Sequence, residues 1–349
     1  MKSSYFHSLF VGAALLAAPF ISAQGQTGAA PNRQMQFILD ALASLEPKPL
    51  ETLSPEDARK QPGPTDAVKV LIKKHDIKAP EPVGDVDNQS IEGGAGAKVK
   101  IRIYTPEGTG PFPVILYVHG GGWVIADLDT YDATPRALCN AVGAIVVSTH
   151  YRQAPENKFP AAHDDVYAAY QWVLKNGDVH KGDVSRVAIV GESAGGNMAA
   201  ATSLLAAKEG APLPLHQVLV YPVTDVTTMD TPSYKENAMA KPLNKPMMEW
   251  FGQHTMNSPE DAKNPRLSLV LADNLKSSPP TTIITAQIDP LRSDGDKLAA
   301  ALQEAGVPVK LQNYDGVTHE FFGMGAVLDE AKQAVAFAAA ELKAAFAKK

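Results

Sequence analysis

Cysteine is almost absent from this chain of 349 residues: Cys139 stands alone. One cysteine cannot close an internal disulfide, so the fold must rest on an apolar core, which a chain of this length can build. Cys139 lies in the apolar helical stretch Ala137-Leu138-Cys139 and reads as a small buried hydrophobe. Runs of one charge are missing too. Thirty-two Lys and Arg against thirty-eight Asp and Glu give a net charge of −6, with no cluster of either sign. That excludes a nucleic-acid or anionic-membrane partner, which would need grouped cations. A hydrophobic run of spanning length is also lacking. The apolar stretch Leu9–Ala18 falls short of the roughly 20 residues a membrane helix needs. Lys2 precedes it and Ile21-Ser22-Ala23 follows, so residues 1–23 read as a signal peptide cleaved near Ala23. No twin arginine and no lipidation cysteine accompany it. The expectation is an exported chain, periplasmic or secreted, without stable membrane insertion.

Residues 24–33, rich in Gly, Ala and Gln, read as disordered. An amphipathic helix is expected over 36–45, with Phe37, Ile38, Leu42 and Leu45 on one face, and a second over 66–75. Together, residues 24–80 read as an N-terminal cap segment. The pattern then changes. Strand-like runs at 99–104, 114–119, 144–148, 187–190, 218–221, 281–285 and 309–314, several of them continuously apolar, alternate with helical stretches. This alternation predicts an α/β fold, a doubly wound, mostly parallel sheet of about eight strands over residues 81–349. One connection, 222–280, is too long for a bare loop and reads as an inserted cap element. Within it, Met247–Phe251 has helical spacing and reads as core or cap packing rather than substrate contact.

Three motifs carry chemistry. Gly191-Glu192-Ser193-Ala194-Gly195 follows the run Val187–Val190 and opens an Ala-rich helix. A serine on such a strand-to-helix turn is thrust clear of the sheet, and the helix N-terminus favours negative charge developing beside it. His119-Gly120-Gly121-Gly122-Trp123 ends another strand-like run. Its glycines let backbone N–H groups approach an oxyanion, as acyl transfer requires. His119 itself reads as a hydrogen-bonding residue of that loop. Asp289 and His319 follow the last two strand-like runs. The order Ser193, Asp289, His319 is nucleophile, acid, base. His163-Asp164-Asp165 does not read as a metal site, because adjacent helical residues cannot all face one ion. No metal and no cofactor is implied.

Taken together, His119–Trp123, Tyr151–Glu156, Phe159–Ala162, Gly191–Gly196, Asp289–Arg292 and His319–Phe322 resemble the bacterial hormone-sensitive-lipase-like esterases of the α/β-hydrolase superfamily. The similarity spans about residues 34–346. What it implies is a serine carboxylic-ester hydrolase acting on short acyl esters through an acyl-enzyme, with a helical cap over the site. It also implies oxyanion donors Gly121, Gly122 and Ala194. Two positions depart from the family pattern: Ser293-Asp294 stands where an Asp-Glu pair is usual, and Gln153 where Leu is usual. Asp294 is therefore a rival acid beside Asp289. An amidase or peptidase with the same triad stays open, as does a non-catalytic binding homologue, although His319 stands in place. The partner expected is a small-molecule ester, with a homodimer left open.

Overall fold

The computed structural model describes residues 28–347, so the expected signal peptide lies outside the described residues. One sheet organises the molecule. Its strands are β1 (Asp85–Glu92), β2 (Lys98–Thr105), β3 (Phe112–Val118), β4 (Ile145–His150), β5 (Gly182–Glu192), β6 (Gln217–Val220), β7 (Thr281–Ile288) and β8 (Val309–Thr318). They lie in the order β1-β2-β4-β3-β5-β6-β7-β8. Neighbours from β4 to β8 pair in parallel. β2 pairs antiparallel with both β1 and β4, so it alone runs against the rest.

The helices among the described residues begin with α1 (Arg33–Ser44), α2 (Pro55–Ala58) and α3 (Pro64–Lys74). Between strands come α4 (Ala133–Val142), α5 (Ala161–Asn176) and α6 (Ala194–Glu209). α7 (Pro232–Glu236) and α8 (Lys245–Thr255) fall in the long connection after β6, followed by α9 (Arg292–Glu304) and α10 (Asp329–Phe346). None of these helices is long and apolar enough to cross a membrane.

The continuous apolar runs belong to strands covered on both faces. On β3, Val114, Leu116 and Val118 enter the core shared with α5, α6 and α9. Ile115 and Tyr117 enter the opposite core, shared with α1, α3, α4 and α10. Cys139 lies in that second core, and burial pushes its thiol up to about 12, as befits a packing residue. Each fully buried aliphatic side chain contributes roughly 1.5–3 kcal/mol, so the two layers together clamp the sheet.

One strand lies outside the expected runs, and two expectations are corrected. β1 carries no apolar run because it is the polar edge strand, with Ile91 its one buried residue. Residues 24–27 lie outside the described residues, and the disorder expected over 24–33 does not hold at Asn32. That residue caps α1, accepting the Met35 N–H at 2.9 Å, and its own N–H donates to Gly316 O at 2.8 Å. α1 buries Met35, Ile38, Ala41 and Leu42, whereas Phe37 is 49% exposed under the Arg33 guanidinium. The buried face centres on Ile38, with Met35, Ala41 and Leu42 within about 60° of it, and Phe37 lies about 100° from that centre.

Candidate active site

β5 ends at Glu192 and α6 begins at Ala194, leaving Ser193 alone to reverse the chain. Its backbone takes φ 56° and ψ −119°, a conformation that L side chains rarely adopt and that costs about 1–3 kcal/mol. The turn closes only without neighbouring side chains. A Cβ on Gly191 would lie 2.2 Å from Gly195 O, and one on Gly195 would lie 2.1 Å from Val118 O. The Ser193 N–H donates to Val220 O at 2.9 Å, which locks the turn against β6.

The ends of β7 and β8 bring two side chains to this serine. His319 Nε2 lies 2.9 Å from Ser193 Oγ, and His319 Nδ1 lies 2.7 Å from Asp289 Oδ2. The other Asp289 oxygen accepts the Leu291 N–H at 2.8 Å, so the carboxylate is held from both sides. All three residues are buried. A carboxylate at Nδ1 keeps the proton there and leaves Nε2 free to take the serine proton. Burial works against a charged imidazole. The Asp289 carboxylate outweighs it, with Glu320 and Glu192 adding to the effect, and holds His319 above its ordinary value of 6.5.

Asp294, the rival acid, is occupied elsewhere. Its Oδ2 accepts the backbone N–H groups of Thr224 and Asp225 at 3.0 and 3.2 Å, and burial pushes the carboxyl up to about 7. It fastens the loop after β6. His163, Asp164 and Asp165 also part company. His163 meets Asn197 Oδ1, Asp164 meets Arg266, and Asp165 meets Arg152.

The glycine loop after β3 passes close to the serine, since a Cβ on Gly120 would sit 3.2 Å from Ser193 Cβ. Gly121 and Gly122 take φ 97° and 57°, and a Cβ on Gly122 would fall 2.3 Å from the Phe251 ring. Both positions therefore demand glycine. Ala194 opens α6, so its N–H has no acceptor within the helix. His119 holds the loop, as expected, with Nδ1 2.8 Å from Gly120 O. The Tyr151 hydroxyl donates to the same carbonyl at 2.8 Å. Gln153 gains a reason here. Its amide donates to Ile125 O and Ala126 O at 2.8 and 2.7 Å, pinning the far end of the loop, which Leu could not do.

A cavity of about 1060 Å³ opens over Ser193 and His319. Leu50 and Arg59 of the N-terminal segment, Tyr131 of the glycine loop, and Met247 and Phe251 of α8 contribute to its walls. Met247, Met248 and Phe251 of the cluster expected to pack the core or cap line this cavity. The two wall segments are joined where Trp250 Nε1 donates to Leu53 O at 3.1 Å.

Two carboxylates beside the site escaped the motif reading. Buried Glu192 accepts the hydroxyls of Tyr117 and Tyr221, and the Tyr221 ring lies 4.4 Å from that of His319. Burial pushes Glu192 up to about 7. Glu320 accepts the Tyr131 hydroxyl at 2.6 Å. Their one signal in the chain is adjacency to Ser193 and His319.

A family model described as alpha/beta hydrolase fold matches residues 115–323. Ethyl acetate hydrolase of Pseudomonas putida is 34% identical over 289 residues, 82% of this chain and 88% of that protein. The carboxylic ester hydrolase LipN of Mycobacterium tuberculosis is 40% identical over 246 residues, 69% of this chain and 65% of LipN, just under two thirds of its length. Among solved structures, a thermostable esterase from Pseudomonas putida superposes with a TM-score of 0.82 at 33% identity, covering 92% of this chain and 99% of that one. A hyperthermophilic esterase from Pyrobaculum calidifontis gives 0.82 at 34% identity, covering 90% and 98%. The sheet order, the serine on its strained turn and these likenesses agree: the chain belongs to the hormone-sensitive-lipase-like esterase family of the α/β-hydrolase superfamily.

Proposed function

We propose that this protein hydrolyses carboxylic esters through an acyl-enzyme, with Ser193 as nucleophile, His319 as base and Asp289 as acid. The observation that carries the reading is the unbroken chain of 2.7 and 2.9 Å contacts from Asp289 through His319 to Ser193 at the floor of the cavity. His319 takes the serine proton as Oγ attacks the acyl carbon, and returns it to the leaving alcohol. The N–H groups of Gly121, Gly122 and Ala194 stabilise the oxyanion, and water then repeats the sequence on the acyl-enzyme. The names of the relatives support the bond type. Turnover of p-nitrophenyl butyrate tests it, and turnover of the matched anilide tests the amidase alternative. A folded protein that hydrolyses neither ester nor anilide refutes catalysis at this site.

Base catalysis requires neutral His319, so kcat/KM rises with pH as the imidazole loses its proton. The carboxylates around it hold that value up, which moves the limb toward higher pH than for an imidazole without them. A profile on an activated ester that is flat from about pH 5 to 9 contradicts the assignment.

The segment 24–80 and the insertion 222–280 act, in this reading, as a cap over the acyl and alcohol pockets. Each buried CH₂ contributes up to about 0.8 kcal/mol while there is room. Overpacking then costs on the order of 1–3 kcal/mol. kcat/KM is expected to peak at acyl chains of about four to six carbons and to fall steeply by about twelve. Deleting residues 24–80 removes the Leu50 and Arg59 wall, and should lower activity and blunt this profile. An unchanged sharp profile places the length limit elsewhere. Export with cleavage near Ala23 belongs to the same proposal, on the strength of Lys2 and the run Leu9–Ala18. The N-terminal sequence of protein recovered from outside the cytoplasm tests it.

A further inference from the structure

The imidazole of His319 is surrounded by carboxylates, and only one of them belongs to the triad. Asp289, after β7, meets Nδ1 at 2.7 Å. Glu192, at the end of β5, lies behind Tyr221, whose ring packs on His319 and whose hydroxyl donates to Glu192. Glu320, next in the chain, places Oε1 3.8 Å from His319 Nε2, the nitrogen that faces Ser193. The leading charges acting on this imidazole are those of Asp289, Glu320 and Glu192.

Glu320 is fixed by its surroundings. Its backbone takes φ 70°, and the Tyr131 hydroxyl lies 2.7 and 2.6 Å from its two oxygens. Both residues line the cavity, and the Glu320 side chain stays 23% exposed, so solvent reaches it. Burial raises its carboxyl above the ordinary range, while His319 and the Tyr131 hydroxyl pull the other way, toward the ionised form.

We infer that Glu320, anchored by Tyr131, is a positioning residue that supplies a second negative charge to His319, on its Nε2 edge, where Asp289 supplies the first on its Nδ1 edge. The inference rests on the triad reading above and adds a residue to it. As the serine proton arrives, the imidazole becomes a cation between two carboxylates instead of one. The charge favours that state, makes the imidazole a stronger base and stabilises the imidazolium that accompanies the tetrahedral intermediate. Because Glu320 itself titrates upward, the acid limb of the rate profile belongs to the pair rather than to His319 alone.

The experiment is the pH dependence of kcat/KM for a neutral activated ester, compared between the full chain and its Glu320→Gln, Glu320→Asp and Tyr131→Phe variants. A charge within about 4–6 Å moves a partner by roughly one unit or more. Glu320→Gln is therefore expected to shift the acid limb to lower pH by about one unit. The plateau should fall less than about tenfold, because a weaker base loses rate with a slope below one. KM should change little. Glu320→Asp should recover part of the shift, and Tyr131→Phe should move the limb the same way by less. A purely structural role would lower the plateau and leave the limb in place. If the wild-type limb exists and depends on Ser193 but neither Glu320→Gln nor Tyr131→Phe moves it, this inference is wrong and the triad stands. If no Ser193-dependent limb exists in the wild type, both readings fall. Should Glu320→Gln not fold, the Glu320→Asp and Tyr131→Phe profiles decide the matter by the same criterion.

Discussion

Replacing Ser193 with alanine is expected to lower kcat on an activated ester by about 10⁴-fold or more while leaving the fold intact. Alanine keeps the Cβ and the strained φ of 56°, and the backbone N–H still donates to Val220 O, so the turn survives. What disappears is Oγ, the atom 2.9 Å from His319 Nε2. Nucleophile and base act as a unit, so the rate that remains comes from oxyanion stabilisation and substrate binding alone. The measurement is kcat for p-nitrophenyl butyrate beside thermal unfolding of the same preparation. A variant with wild-type melting that keeps its rate within about tenfold removes Ser193 from the mechanism.

Asp289→Asn is expected to reduce kcat by a similar factor, about 10⁴-fold, because an amide facing Nδ1 favours the tautomer with its proton on the wrong nitrogen. Asp294→Asn, five residues further on, should reduce it less than about threefold. The amide oxygen of asparagine can still accept the Thr224 and Asp225 N–H groups, and the wild-type carboxyl, pushed up to about 7, is already partly neutral there. Kinetics of the two single variants under one set of conditions separate the cases. If Asp294→Asn is the crippled enzyme and Asp289→Asn the active one, the acid must be reassigned. Equal, severe losses in both would instead place the Thr224–Asp225 loop in the catalytic geometry.

Local pattern carried far in this chain because the chemistry sits at strand ends. Strands β3 to β7, buried on both faces, appear as apolar runs, and β2 and β8 show a partly alternating pattern, so seven of the eight strands are visible, whereas the edge strand β1, with Ile91 its one buried residue, is not. The residues just past those runs are then singled out by position: Ser193 after β5, Asp289 after β7, His319 after β8, and the glycines after β3. The family resemblance rests on the same residues. Sequence order and strand pattern thus determined the fold class and the triad candidates before any contact was known.

What the chain could not disclose depends on distance through space. Strand-end position favours Asp289 over Asp294, but it does not disclose the contacts that separate them. The difference is that one carboxylate reaches Nδ1 while the other turns to the backbone after β6. Gln153 acquires its purpose only because β4 and the glycine loop meet, and Phe37 leaves the core because helical phase, not hydrophobicity alone, decides which face is buried. Glu320 shows it best. Its neighbour in sequence is His319, yet its anchor, Tyr131, lies 189 residues away. Periodicity records which side chains are buried, but the field at an imidazole falls off with distance from every charge around it. Those distances are set only when separate strands bring their ends together.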